Sequence, residues 1–336
     1  MKEYSYVKRA LLRELSENSR IPVTALAKKM KCSRNTIVNN IKYLEREFDL
    51  HYTLEFNTEM LFIQSHIWCI KFGRKPKTKY LKELLEEEGT VQFAARTSGD
   101  FDLIMNIAAY SGEKYMRSAI KIIIGLLDYK PVVEPSLISM VHTGFMPLQD
   151  STIKDLKQNA RLESFDPLDR NILVILNENS RTTYKKIAKM LKEDVETIRY
   201  RIRALSDAGI IRRFTIVLKK PPTDYNIVFL MNYKFSPGII ERYEKARNYY
   251  IGFEENLNAV NKFQYLSLMS GSYTLFGMGC FENEETGIKE AVMEHKKIYS
   301  QDNPTVSFAK ITEVVKGYNP IRSIYLKDDY KPIEWK

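Results

Sequence analysis

Residues 17–20 and 178–181 both read Glu-Asn-Ser-Arg, and an offset of 161 positions aligns the two tetrapeptides without a gap. The same offset superimposes Leu12 on Leu173, Leu15 on Leu176, Ala27 on Ala188, Thr36 on Thr197, Ile37 on Ile198, Ile41 on Ile202 and Leu44 on Leu205. Many of these matches stand three or four residues apart, the interval at which side chains share one face of a helix. A chance tetrapeptide would not carry the apolar stripes of its neighbouring helices with it. The chain is therefore an internal duplication, and the layout deduced for one copy constrains the other.

The second copy, 165–219, is the easier to read. Leu168, Ile172, Ile175 and Leu176 form the buried stripe of a first helix, and Ile187, Ala188 and Leu191 that of a second, shorter one. After the polar turn Lys192-Glu193, Asp194 stands at the cap position of a third helix with Val195, Ile198, Ile202 and Leu205 inward, and Ala208-Gly209 stops it. Residues 210–218 alternate as a two-stranded wing. Helix, helix, short turn, helix, wing is the order of a winged helix-turn-helix. In the first copy Ser33 takes the cap position, and the wing falls around 50–56 without an equivalent of Gly209.

The outward face of each third helix is where a duplex would be read. In the second copy Arg199, Tyr200, Arg203 and Glu196 fall opposite Ile198, and Arg201 lies on the flank, where its stem can pack and its guanidinium can reach a phosphate. Arg212 and Arg213 add charge on the wing. In the first copy the face is Asn35, Val38, Asn39 and Lys42, with Arg34 in the first turn and Asn40 on the flank. Asparagine suits adenine, valine a thymine methyl and arginine guanine. The two modules are thus expected to prefer different half-sites, the first leaning to A·T and the second to G·C.

Each module is followed by a strand and helix pattern. In the first half, strands at 61–72, 91–97, 101–109 and 132–145 alternate with helices at 78–88 and 113–127, and Gly99-Asp100 is a hairpin signal. Met116, Ile120, Ile123 and Leu127 are expected inward on the second helix. The second half repeats the order with strands at 226–235, 263–270, 273–281 and 305–315, helices at 238–256 and 284–300, and the turn Gly271-Ser272. The order βαββαβ describes a ferredoxin-like sheet with two helices on one face. The fold class is α+β: winged helix 1 at 1–58, ferredoxin-like domain 1 at 61–147, a polar linker at 148–164, winged helix 2 at 165–220, ferredoxin-like domain 2 at 225–325 and a tail at 326–336.

Composition narrows the chemistry. A formal net charge of +10 over 336 residues favours an anionic partner, and no long basic amphipathic helix directs that charge to a membrane surface. Three scattered cysteines suggest no disulfide framework, and four histidines show no metal-ligand spacing. The N-terminal segment is charged throughout, and no apolar run approaches the ~20 residues of a membrane span, so a cytoplasmic location is expected. No phosphate loop, nucleophile elbow or paired-carboxylate motif is present, so no cofactor is expected. The acidic run Glu86-Glu87-Glu88 reads as a solvated helix end.

The residues FDPLDRNILVILNENSRTTYKKIAKML at 165–191, ETIRYRIRALSDAGIIRRFTIVL at 196–218 and SGDFDLIMNIA at 98–108 resemble the Lrp/AsnC, or feast/famine, transcription regulators. The whole chain resembles two such units fused head to tail. The resemblance implies sequence-specific binding to double-stranded DNA, pairing of sheets between units, and control by a small molecule such as an amino acid. By position the effector site of the family corresponds to Gly99, Asp100, Phe101 and Asp102. The second half reads Gly271, Ser272, Tyr273 and Thr274 there and loses both acids. The two sheets can pair within one chain or between chains, and a homodimer or higher homo-oligomer of tandem chains is the expectation. An enzyme is not expected. The rival is a branch resembling this family that decarboxylates sirohaem using histidine and arginine, but neither hairpin here contains histidine. A third reading is a metabolite- or protein-binding module whose first, asparagine-rich copy no longer touches DNA.

Overall fold

A computed structural model of the chain describes residues 6–58, 60–143, 148–149, 165–220, 225–232, 263–281 and 305–318, together with positions 283, 285 and 289. In chain order the first half comprises α1 (Tyr6–Glu17), α2 (Val23–Lys29), α3 (Arg34–Phe48), β1 (Leu50–Phe56), β2 (Gln64–Phe72), α4 (Thr78–Glu86), β3 (Val91–Gly99), β4 (Leu103–Ala109), α5 (Gly112–Leu126) and β5 (Pro131–Thr143). The second comprises α6 (Pro167–Glu178), α7 (Tyr184–Leu191), α8 (Val195–Asp207), β6 (Ile211–Leu218), β7 (Tyr225–Asn232), β8 (Phe263–Gly271), β9 (Leu275–Phe281) and β10 (Thr305–Lys316). The helix expected at 238–256, all but two positions of the one expected at 284–300, most of the linker and the tail lie outside the described residues.

Both three-helix units close around the expected stripes. Leu12, Leu15, Leu26, Ile37, Ile41 and Leu44 are buried in the first, and Ile172, Leu173, Leu176, Ile187, Ile198, Ile202 and Leu205 in the second. Ser33 caps α3 by accepting from the Thr36 N–H at 3.0 Å. Asp166 caps α6 by accepting from Leu168 and Asp169 N–H groups at 2.8 and 3.0 Å. Gly209 reverses the chain after α8 with φ +74°, whereas α3 runs on through Phe48 and Asp49 takes the left-handed turn with φ 48°. Leu148, at the start of the expected linker, is buried, and its carbonyl accepts from Asn177 Nδ2 at 2.8 Å.

The wings differ from expectation. Residues 211–218 form one continuous strand rather than a two-stranded wing, and its partner is β1 of the other half. The antiparallel register runs from Leu50↔Leu218 through Thr53↔Thr215 and Leu54↔Phe214 to Phe56↔Ile211. At the offset of 161, Thr53 corresponds to Phe214 and Leu54 to Thr215, so corresponding residues pair crosswise. A local two-fold axis therefore passes through the middle of the ribbon.

The remaining strands close into one eight-stranded barrel in the order β10-β3-β4-β2-β5-β8-β9-β7. Within it, β3-β4-β2-β5 belongs to the first half and β8-β9-β7-β10 to the second, each half having the same internal order. They join at two seams, β3 with β10 and β5 with β8. Pairing of the two sheets is thus made within a single chain. Among the described residues closure leaves the barrel itself without an unpaired edge, the feature that otherwise templates association through strands. The interior is filled by Ile67, Phe93, Phe101, Ile104, Tyr265, Tyr273 and Phe276 among others. Trp68, Ile70, Leu81, Leu85, Ile122 and Leu126 fill the layer between the first sheet and α4 and α5.

Two details reverse the sequence reading. On α5 the buried residues are Ser118, Ala119, Ile122 and Leu126, while Met116, Ile120 and Leu127 are 53%, 52% and 57% exposed. Apolar residues occur all round this helix, so polar anchors set its rotation. Glu88 is buried rather than solvated, and its carboxylate accepts from Ser118 Oγ at 2.7 Å and pairs with Lys121. A buried carboxylate requires such partners, and supplying them turns Ser118 inward. From the other half, Lys316 Nζ donates to the carbonyls of Leu85, Glu86 and Glu88 at 2.7, 3.1 and 2.8 Å, closing the C-terminal end of α4.

Candidate nucleic-acid interface

Both third helices keep their outward faces open. On α3, Arg34, Asn35, Asn39 and Lys42 are exposed and Val38 is half-buried, while the Asn40 amide donates to its own helix at Thr36 O, 2.9 Å away. On α8, Arg199, Tyr200 and Arg203 are exposed, Tyr200 by 70%. Arg199 pairs with Glu196 at 3.0 Å and Arg203 with Asp207 at 3.6 Å. Exposed pairs of this kind contribute about 1 kcal/mol or less, so a phosphate or a guanine edge can displace them.

The other arginines have different surroundings. Arg201 turns back to α6, where its guanidinium lies 2.8 Å from Asp166 and 3.2 Å from Asp169, whose side chain is 4% exposed. Burial pushes the Asp169 carboxyl up, and Arg201 opposes that shift. Replacing Arg201 by Ala strands this carboxylate. The expected result is a loss of about 2 kcal/mol, below the ~3–5 kcal/mol of a fully buried pair because Arg201 is partly solvated, read as a lower denaturant midpoint. Arg213 sits in the ribbon, paired with Glu55 across from it and with Glu17 at 3.5 Å. Arg212 is exposed.

The duplicated tetrapeptide is a latch between the modules, a role its sequence signal did not disclose. Ser19 Oγ and Ser180 Oγ are hydrogen-bonded at 2.6 Å, fully buried, and separated in sequence by 161 residues. Arg20 Nη1 donates to Ser180 O at 3.1 Å and Arg181 Nε to Ser19 O at 2.6 Å. The Ser19 N–H donates to Phe214 O at 2.8 Å and the Ser180 N–H to Tyr52 O at 3.2 Å, so each tetrapeptide also bonds to the opposite wing. Arg181 stacks 4.4 Å above the Tyr52 ring, and Arg20 lies 5.1 Å from that of Phe214. Thr53 Oγ1 donates to Asn177 Oδ1 at 2.9 Å, and Thr215 Oγ1 to Ser16 O at 2.7 Å. Buried, reciprocal hydrogen bonds of this kind favour one arrangement, because alternatives leave further donors or acceptors unmade, although Arg181 Nη2 is buried without a partner among the described residues. The third helices are thereby held in a defined mutual orientation.

The four hairpin residues divide between seam and interior. Gly99, with φ +126°, lies against β10, and the Asp100 N–H and carboxylate bond Phe308 O and N at 2.9 and 2.8 Å. Phe101 is buried in the barrel, edge-on to Tyr273 at 5.8 Å. Asp102 accepts from Phe72 N at 2.9 Å and pairs with Lys75 at 2.7 Å. At the other seam Gly271, with φ +141°, lies against β5, and Ser272 N donates to Pro135 O at 3.2 Å. Among the described residues there is no group of three potential metal ligands, and no helix is long and apolar enough to cross a membrane.

Comparison with known proteins agrees with this architecture. Residues 165–212 match the family described as winged helix-turn-helix DNA-binding, and residues 7–55 match the family described as HTH domain. An uncharacterised HTH-type transcriptional regulator of Pyrococcus abyssi is 35% identical over 158 residues, 46% of this chain and 91% of that protein. A second, from Pyrococcus horikoshii, is 32% identical over 120 residues, 36% of this chain and 74% of that protein. A Pyrococcus furiosus relative is 42% identical over 69 residues, 20% of this chain and 47% of that protein. Among solved structures, that of the sirohaem decarboxylase NirDL shares the fold along nearly the full length, with a TM-score of 0.55, 13% identity and coverage of 96% of both chains. With two helix-turn-helix units, each at the start of one half of a duplicated chain, and regulators of this type as its relatives in sequence, the chain belongs to the Lrp/AsnC family as two units fused in tandem.

Proposed function

We propose that this chain is a sequence-specific DNA-binding transcription regulator in which a single polypeptide supplies the paired reading heads. The observation that carries this reading is the latch of Ser19, Ser180 and the β1–β6 ribbon, which presents two exposed faces of different chemistry from one frame. Arg34, Asn35, Val38, Asn39 and Lys42 read one half-site and Arg199, Tyr200 and Arg203 the other, with Arg212 at a phosphate. Engagement of the second head is intramolecular once the first is bound, which raises avidity without new contacts. Two ferredoxin-like regulatory domains, one per half, form the barrel. The βαββαβ order of the first and the matching strand order of the second support that reading. A small metabolite, such as an amino acid, binding at a seam would meet Asp100, whose neighbours Gly99, Phe101 and Asp102 shape the turn. Selection from random duplexes with the purified chain, repeated with Arg199 and Arg203 changed to Ala, tests the function. Two unlike half-sites, with the G·C-leaning one lost in the variant, are expected; a perfect palindrome would contradict the assignment.

The full-length fold match to a sirohaem decarboxylase favours a second reading, an enzyme that processes tetrapyrrole carboxylates. The two histidines with described side chains support it poorly. His66 stacks on Tyr115 at 3.8 Å under α5, and burial lowers its pKa; His51 stacks on Tyr318 at 4.8 Å beside the ribbon. We therefore favour the regulator over the enzyme. Adding sirohaem separates the two, since the enzyme reading requires a spectral shift and loss of carboxylate.

A further inference from the structure

Lys31, after α2, and Lys192, after α7, occupy the same position of the duplication and share one unusual conformation, with φ of 49° and 58°. The Cys32 N–H donates to Ala27 O and the Glu193 N–H to Ala188 O, both at 3.0 Å. These are the closing bonds of a Schellman helix end, in which the left-handed residue is usually glycine because any Cβ there is strained. Both units carry that strain, and both carry it with lysine. Strained residues retained in a fold concentrate at functional positions. Both lysines are exposed, and among the described residues neither takes part in an ion pair. Each stands two residues before the cap of a reading helix, Ser33 for α3 and Asp194 for α8. That places both residues next to the helix ends that a helix-turn-helix sends into the major groove, where a lysine side chain is long enough to reach the phosphates of its rim.

We propose that Lys31 and Lys192 form a matched pair of phosphate contacts, one per reading head, and that this contact is what keeps glycine out of both turns. The inference rests on the DNA-binding reading above. Its rival is a purely structural one, in which each lysine complements the negative end of the helix it follows. The full-length chain, its Lys31→Gly/Lys192→Gly variant and its Lys31→Arg/Lys192→Arg variant separate these roles. Each is titrated with a mixed-sequence 40-base-pair duplex across a salt series and unfolded by denaturant. The glycine variant is expected to unfold at an equal or higher midpoint, because the turn strain is relieved. Its salt slope should fall by about 2, one unit per lost phosphate, and its affinity by about tenfold. The arginine variant should keep the wild-type slope. A glycine variant with unchanged slope and affinity overturns the proposal, and a lowered midpoint with unchanged slope returns the lysines to the structural role. Absence of salt-dependent binding by the wild type is a separate outcome, which overturns the DNA-binding reading and this inference with it.

Discussion

The Arg199→Ala/Arg203→Ala variant is expected to bind its selected operator roughly 30-fold to 10⁴-fold more weakly than the wild type, with no change in unfolding midpoint. The range follows from ~1–3 kcal/mol of discrimination for each bidentate contact to a base pair, with two such contacts removed. Stability should hold because both side chains are exposed and their pairs with Glu196 and Asp207 are surface pairs. The complementary change, Asn35→Ala/Asn39→Ala, should relax preference within the first half-site and leave the salt slope nearly intact, since asparagine carries no charge to exchange for counterions. Fluorescence anisotropy at two salt concentrations reads both effects. A double-arginine variant that binds as well as the wild type would remove α8 from the interface.

The second large effect is expected at the seams of the barrel. A Cβ placed on Gly99 would lie 2.6 Å from Phe308 O and 3.2 Å from Ala309 Cα, and one on Gly271 2.7 Å from Pro135 O and 2.9 Å from Ser136 Cα. The obstructing atoms are mostly backbone, which cannot swing aside, and both glycines hold positive φ. Valine at either site meets a clash and a forbidden conformation together. A loss of about 3 kcal/mol or more is expected from each, a large part of the ~5–15 kcal/mol by which domains are stable. The Gly99→Val/Gly271→Val protein should open at both seams and expose strand edges, read as aggregation and as loss of cooperative unfolding. Unchanged cooperative unfolding of the double variant would mean that the halves do not meet at these turns.

Much of the architecture was legible because it is local. The stripes of α6 and α8 and the strand order of the first half follow from side-chain periods of 3.6 and 2.0, and Gly99-Asp100 marks its turn directly. The rotation of α5 was not legible, since Met116, Ile120, Ile122, Ile123 and Ile124 give it apolar residues on every side and the buried Glu88 decides the matter. The partner of β6 could not be read from residues 211–218 alone, because strand pairing is a contact between segments far apart in sequence. Arg199 and Arg201 are chemically identical and two residues apart; what separates them is Asp169, which the fold buries beside only one. The tetrapeptide at 17–20 and 178–181 announced the duplication, but that its two copies touch each other emerges only when the halves are placed in space.

Oxidation of a Ser19→Cys/Ser180→Cys variant tests that contact most directly, since the two hydroxyl oxygens it replaces lie 2.6 Å apart. Pairing of the two units within one chain predicts a disulfide between peptides containing positions 19 and 180 in a species of single-chain mass, formed to the same extent at every protein concentration. A link found only in a species of twice that mass, or thiols that remain free, would contradict it.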